Sequence, residues 1–139
     1  MKYLLTGETT ERLVFKLVDR SFFEDWVEFF KNPECARNLG FQEYGTPYEQ
    51  STVWFQKVEE RYRNDLGGLN ALIDRATGKF IGHCGLLVQE VDGKQELEIG
   101  YSILPQYWSS GYATEAAIKC RDFAFQNNFT ESLISIIHV

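Results

Sequence analysis

The spacing of apolar positions changes along this chain, and each change marks an element. From Arg12 to Val18 the residues read Arg-Leu-Val-Phe-Lys-Leu-Val, with Leu13, Phe15 and Leu17 alternating against Arg12 and Lys16. That period of two predicts a strand. A helix is predicted next, capped by Asp19 or Ser21 and running to about Lys31, with Phe22, Trp26, Phe29 and Phe30 on one stripe. Asn32-Pro33 ends it, because the residue before a proline is pushed out of the helical region. The stretch from Cys35 to Pro47 holds two glycines and no period, and reads as loop. Pro47 opens a second helix to about Asn64, striped by Val53, Trp54, Val58 and Tyr62 and broken by Gly67-Gly68.

The period then returns to two. Leu69 to Asp74 reads as a short strand, Ala76-Thr77-Gly78 as a turn, and Phe80 to Val91 as a longer strand interrupted by Gly82 and Gly85. Asp92-Gly93 is a two-residue hairpin signal, after which Gln95 to Leu104 returns as a strand. Three strands joined by tight turns predict an antiparallel meander. Gly111 to Asn127 places Ala113, Ala116, Ala117, Cys120, Phe123 and Ala124 at helical spacing, and Ser132 to Val139 is a last, very apolar strand. The element order is that of a mixed α+β domain.

Composition narrows the class. The chain has 139 residues, the size of one domain, with 44% hydrophobic and 24% charged residues, which is globular usage. Fourteen basic against twenty acidic residues give a net charge of −6, which argues against nucleic-acid binding and anionic membrane surfaces. No secretory leader and no stretch of 18 apolar residues is present, so a soluble cytoplasmic protein is expected. Cys35, Cys84 and Cys120 are far apart and form no Cys-x-x-Cys. They predict buried free thiols, with neither a metal site nor a disulfide framework.

The candidate chemistry lies between Gln95 and Arg121. Here a strand ends at Pro105, and a loop of small residues, Ser109-Ser110-Gly111, enters a helix that carries no acid until Glu115. A helix N-terminus presents unpaired N–H groups and the positive end of the dipole, and Gly111 lets a ligand approach the backbone closely. A phosphate cradle and an ordinary helix start are both compatible with this pattern.

The run Ile103-Leu104-Pro105 followed by Trp108-Ser109-Ser110-Gly111-Tyr112-Ala113-Thr114-Glu115-Ala116 resembles the acetyl-CoA loop of the GNAT N-acetyltransferases. The family form is Gln/Arg-x-x-Gly-x-Gly/Ala, filled here by Trp108, Gly111 and Ala113. The tryptophan and the run Gly-Tyr-Ala-Thr-Glu-Ala are similar to the branch containing the ribosomal-protein N-terminal acetyltransferases. The element order agrees over nearly the whole chain. The resemblance implies a three-layer fold, a mixed and largely antiparallel sheet with helices on both faces. Ser109 and Ser110 stand where that branch has a glycine and a basic residue, so one phosphate-facing charge is missing. The family also continues past Ser132–Val139 with a helix and two strands that carry a cofactor-contacting Asn and often an acid Tyr, and these are expected to be absent.

Mapped onto this chain, the resemblance implies that acetyl-CoA donates an acetyl group to a primary amine, a protein N-terminus or a small molecule. The alternative it leaves open is an acyl-CoA-binding domain without turnover. Backbone groups of Ile103 would pair with the pantetheine arm and stabilise the developing oxyanion. Trp108, Ser109, Ser110, Gly111, Tyr112, Ala113 and the Thr114 hydroxyl would hold the pyrophosphate. An amine with a pKa near 10 needs a base at neutral pH. Glu96 and Glu98 share a strand face with Gly100 and Ser102. Glu98 is the nearer to the slot and is the expected catalytic base. No metal is expected.

Other constellations carry less. Gly100-Tyr101-Ser102-Ile103-Leu104 lacks the second glycine of a hydrolase elbow, and Thr77-Gly78-Lys79 lacks the upstream glycine of a phosphate loop. His83 and Cys84 are neighbours on a strand, so they face opposite sides and form no dyad. With the family's last strands absent, the edge at Ser132–Val139 is expected to pair with a second copy as a homodimer.

Overall fold

The computed structural model describes residues 2–134. Its centre is a four-stranded antiparallel sheet made of β1 (Leu13–Leu17), β2 (Gly67–Asp74), β3 (Phe80–Val91) and β4 (Lys94–Ile103), in the order β1-β2-β3-β4. Helices α1 (Phe23–Lys31), α2 (Pro33–Asn38) and α3 (Pro47–Arg63) connect β1 to β2, and α4 (Tyr112–Gln126) follows β4.

All eight residues of β2 are buried, so this strand has helices over both faces. One face meets α1 and α3 through an aromatic core of Trp26, Phe29, Phe30, Phe41, Trp54 and Phe55. The other meets α4 through Ala116, Cys120 and Ala124, which pack on Leu13, Phe15, Leu72, Ile81, Cys84 and Leu86. The small residues of α4 let the helix lie close, with the Cys84 and Cys120 sulfurs 3.6 Å apart. All three cysteines are free and buried, and His83 and Cys84 do point to opposite faces.

Several expectations need correction. Cys35 to Pro47 is not continuous loop. Asn32 ends α1, but its side chain also accepts from Glu34 N and, with Pro33 in the first turn, starts α2. A 3₁₀ turn at Gln42–Tyr44 follows. Six residues are too few for an apolar period to be visible. Asp19 caps a 3₁₀ turn at Arg20–Phe22, and α1 itself begins at Phe23 without a side-chain cap. β3 runs continuously through Gly85, but next to Gly82 its register with β2 shifts by one residue, from Leu72–Gly82 to Ile73–Phe80. A Cβ on Gly85 would lie 2.1 Å from the Gly68 carbonyl oxygen, so glycine there lets two strands come together.

Other local signals agree with the structure. Thr46 and Glu49 form a reciprocal capping box with Pro47 inside the helix start. Asp92 and Gly93 take φ of 51° and 78°, the left-handed pair that a tight hairpin needs. The final strand expected at Ser132–Val139 is described only as far as Ile134, which bridges in parallel to Glu98 and so makes the pairing mixed. The expected second-copy pairing of this edge rests on residues outside the described ones.

His83 sits fully buried in the aromatic core, edge-on to Trp26 at 4.4 Å and near Trp54, Phe55 and Phe80. Neither ring nitrogen has a hydrogen-bond partner among the described residues. Burial drives its pKa down to about 3. The folded state therefore keeps His83 neutral below pH 6.5, where the unfolded chain takes up a proton. Stability should fall by up to about 1.4 kcal/mol per pH unit from pH 6.5 toward 3 on this account. Denaturant melts of the parent and His83→Phe across that range measure the effect, and the variant should show the shallower slope.

Candidate active site

A groove of about 1090 Å³ runs along β4, between the α2–α3 connection and the loop that enters α4. Two features of β4 create it. The strand bonds to β3 on one side. On the other, Ile99 N donates to Ile134 O (3.1 Å) and Ile134 N donates to Leu97 O (3.0 Å). Beyond Ile99 no described segment pairs with this edge. Backbone groups alternate along a strand, so the odd positions Tyr101 and Ile103 also turn theirs outward. Leu104 N donates inward to Ile81 O, as that alternation requires. The Tyr101 side chain is half exposed in the groove wall.

The structure distributes the expected site residues unevenly. Glu98, Ile103, Trp108, Ser109, Gly111, Tyr112, Ala113 and Thr114 all line this groove. Ser110 is not among its lining residues, and its carbonyl is turned to Arg12 instead. The Ile103 carbonyl already accepts from the Trp108 indole N–H at 2.8 Å, which leaves the Ile103 N–H as its open edge group. Trp108 thus fastens the loop back onto the end of β4, a job that its place in the motif did not reveal.

The start of α4 has the open backbone that an anion-binding helix start needs. Gly111 is its N-cap at φ 83°, and no side chain caps the helix. Ser109 shares the left-handed conformation at φ 62°. The leading N–H groups of α4 are thus left without a capping side chain, beside the groove. The first acid of the helix, Glu115, is drawn away from the loop by a Thr10 hydroxyl bond and by Arg12, whose N and Nε donate to it at 2.9 and 2.7 Å. Burial acts to raise the Glu115 carboxyl, and the bonds from Thr10 and Arg12 outweigh it, holding the group below the usual carboxylate range.

At the other end of the groove, Glu98 is buried on the α1–α3 face of β4. Its Oε1 accepts from Gln89 Nε2 at 2.9 Å, and Gln89 Oε1 accepts from Arg61 Nη2 at 3.1 Å. Arg61 also donates to the Leu66 and Val88 carbonyls, and burial pulls its pKa below the usual range while Glu98 opposes that shift. Glu96 lies outside the groove lining. Gln89 and Arg61 were not anticipated, because each belongs to a different element and no local pattern joins them to Glu98. Phe41, Glu43, Tyr44 and Trp54 form the facing wall.

The site is thus an elongated slot with bare N–H groups at one end, an open strand edge in the middle and a carboxylate at the other. That shape fits a long ligand with an anionic group at one end, and its volume is ample for one.

Known proteins share this architecture. The family model for the acetyltransferase (GNAT) domain matches residues 12–139. YkkB of Bacillus subtilis is 34% identical over 86 residues, covering 60% of this chain and 47% of that protein. The chain spans about half to two thirds of the length of the curated relatives it matches. An acetyltransferase from Agrobacterium tumefaciens has the same fold at a TM-score of 0.75 and 22% identity, over 99% of this chain and 77% of that one. So does RimL, a ribosomal L7/L12 alpha-N-protein acetyltransferase solved in complex with coenzyme A, at a TM-score of 0.74 and 10% identity, over 96% of this chain and 75% of that one. With a family match that takes in β1, the groove and α4, the chain belongs to the GNAT acetyltransferase family.

Proposed function

We propose that this chain is an N-acetyltransferase domain that moves an acetyl group from acetyl-CoA to a primary amine. One observation carries the reading: an uncapped α4 start with left-handed Gly111 shares a groove with an open strand edge and a buried glutamate. The bound thioester would supply the activated acetyl group. The N–H groups at the start of α4 would take the pyrophosphate, and the Tyr101 and Ile103 edge would take the amide-bearing arm as an added strand does.

At the acceptor end, Glu98 would accept the proton that the amine must lose. Its hydrogen bond from Gln89 fixes the carboxylate without neutralising it, because an amide is an uncharged donor. The backbone N–H of Ile103 would donate to the thioester oxygen as negative charge develops there. Ile103 lies five residues farther along the same strand, about 16 Å from Glu98, so a water relay would carry the proton from the amine at the thioester to the carboxylate. Glu98, facing the rings of Phe41, Tyr44 and Trp54, would take the amine substrate, in a lining where Lys57 and Arg61 balance the charges of Glu43 and Glu98. A protein N-terminus and a small-molecule amine both meet that description.

Calorimetric titration with acetyl-CoA, followed by turnover against an amine panel, tests the proposal. Saturable binding with release of free CoA thiol supports it, and binding without turnover reduces it to an acyl-CoA-binding domain. Absence of binding removes it. Gly111→Asp should abolish acetyl-CoA binding in a folded protein, since it forces a side chain into φ 83° and sets a negative charge at the cradle. Glu98→Gln should lower kcat by about 10²–10⁴-fold, with acetyl-CoA affinity little changed.

A further inference from the structure

The cradle depends on a side chain that no loop motif contains. Arg12 precedes β1, yet its Nη1 donates to the Ser110 carbonyl at 2.9 Å across 98 residues of sequence. The guanidinium stacks on the Tyr112 ring at 4.1 Å, and a Cβ on Gly111 would meet its Nη2 at 3.3 Å. Arg12 is itself fixed in place. Its Nε and backbone N both bond Glu115, Glu115 also accepts from Thr10, and the Tyr112 hydroxyl donates to Asp74 at 2.8 Å. The Glu115 bond raises the pKa of Arg12, so it stays charged throughout.

A loop can bind an anion through its backbone only if the N–H groups face in and the carbonyls face out. Each peptide unit carries both ends of a dipole, so a carbonyl turned inward would repel the ligand that the N–H groups attract. The Ser110 carbonyl is the one at risk, because it lies between two left-handed residues, Ser109 and Gly111. Arg12 draws that oxygen outward. Gly111 is required beside it for its φ and because Arg12 lies directly against it.

We infer that Arg12 is a positioning residue for the anion cradle: its guanidinium, fixed by Glu115 and stacked on Tyr112, turns the Ser110 carbonyl out so that the loop N–H groups face the pyrophosphate. The inference rests on the acetyl-CoA reading above and adds the residue that shapes the loop. The fork matters more than the charge, because Glu115 already neutralises the charge at 2.7 Å. A lysine keeps the charge but cannot span the Ser110 carbonyl and Glu115 with a planar pair of donors.

The test uses Arg12→Lys and Arg12→Met in the full 139-residue chain. Coenzyme A is titrated by calorimetry, and pantetheine, which lacks the pyrophosphate, by NMR. Amide hydrogen exchange is followed over residues 109–114 without ligand. Both variants should weaken coenzyme A binding by about 10- to 100-fold and leave pantetheine affinity within about twofold. The loop amides should exchange faster while those of β2 and β3 do not change. Parent-like coenzyme A affinity in Arg12→Lys overturns the inference, since charge alone would then suffice. Parallel loss of both ligands also overturns it, as the mark of a general structural defect. If Arg12→Met does not fold, Arg12→Lys decides. If the parent chain binds no coenzyme A, the acetyltransferase reading fails, and unchanged loop exchange in Arg12→Lys would separately defeat the positioning role.

Discussion

Strand β2 and the first half of β3 are covered on both faces, and the rest of the architecture follows from that double burial. Each face needs its own apolar layer, and the two layers are built differently. The α1–α3 layer fills its space with large rings, among them Trp26, Phe30, Trp54 and Phe55. The α4 layer uses Ala116, Cys120 and Ala124, so α4 lies close against Leu86 and Cys84. A close α4 places its own N-terminus directly beside the end of β4. The uncapped start of α4 and the strand edge therefore face one groove because small residues on α4 allow it.

The groove also depends on what β4 lacks. A sheet edge normally leaves a row of unpaired backbone groups, which is a liability in an ordinary protein. Here the described edge is paired only around Glu98 and Ile99 and is left open toward Ile103. Trp108 takes the Ile103 carbonyl and so limits how far that opening extends. The same device, a side-chain donor on a backbone carbonyl, recurs at Ser110 through Arg12. The loop is pinned at one end by its Trp108 indole on the Ile103 carbonyl of β4 and at the other by its own Ser110 carbonyl, and the N–H groups at the start of α4 have no capping side chain.

Buried polar groups are treated in two ways. Glu98, Gln89 and Arg61 form a chain of hydrogen bonds along the groove lining, each partner satisfying the next. His83 has no such chain, and the packed rings around it keep it uncharged. One arrangement presents a hydrogen-bonded carboxyl group to the groove, and the other keeps an uncharged ring in the core. Both lie on the α1–α3 side of the sheet, on neighbouring strands.

By itself the sequence determined the features that local chemistry dictates. Alternation of apolar with charged residues revealed β1, and turn signals between apolar runs bounded β2 to β4, because side chains on a strand change face at every residue. Asp92-Gly93 declared its turn and Pro47 its helix start, since few residues tolerate those conformations. The run from Trp108 to Thr114 carried the candidate cradle and the family likeness on contiguous residues. The tertiary structure alone decided which partners complete these features. α2 was hidden because six residues cannot show a period. Arg12 reaches Ser110 and Glu115, and Gln89 and Arg61 stand behind Glu98, by contacts between elements far apart in the chain. An isolated arginine next to a strand carries no mark of what it will touch. Its role arises only when packing brings the start of β1 beside the start of α4, because a hydrogen bond is set by distance in space and not by position in the chain.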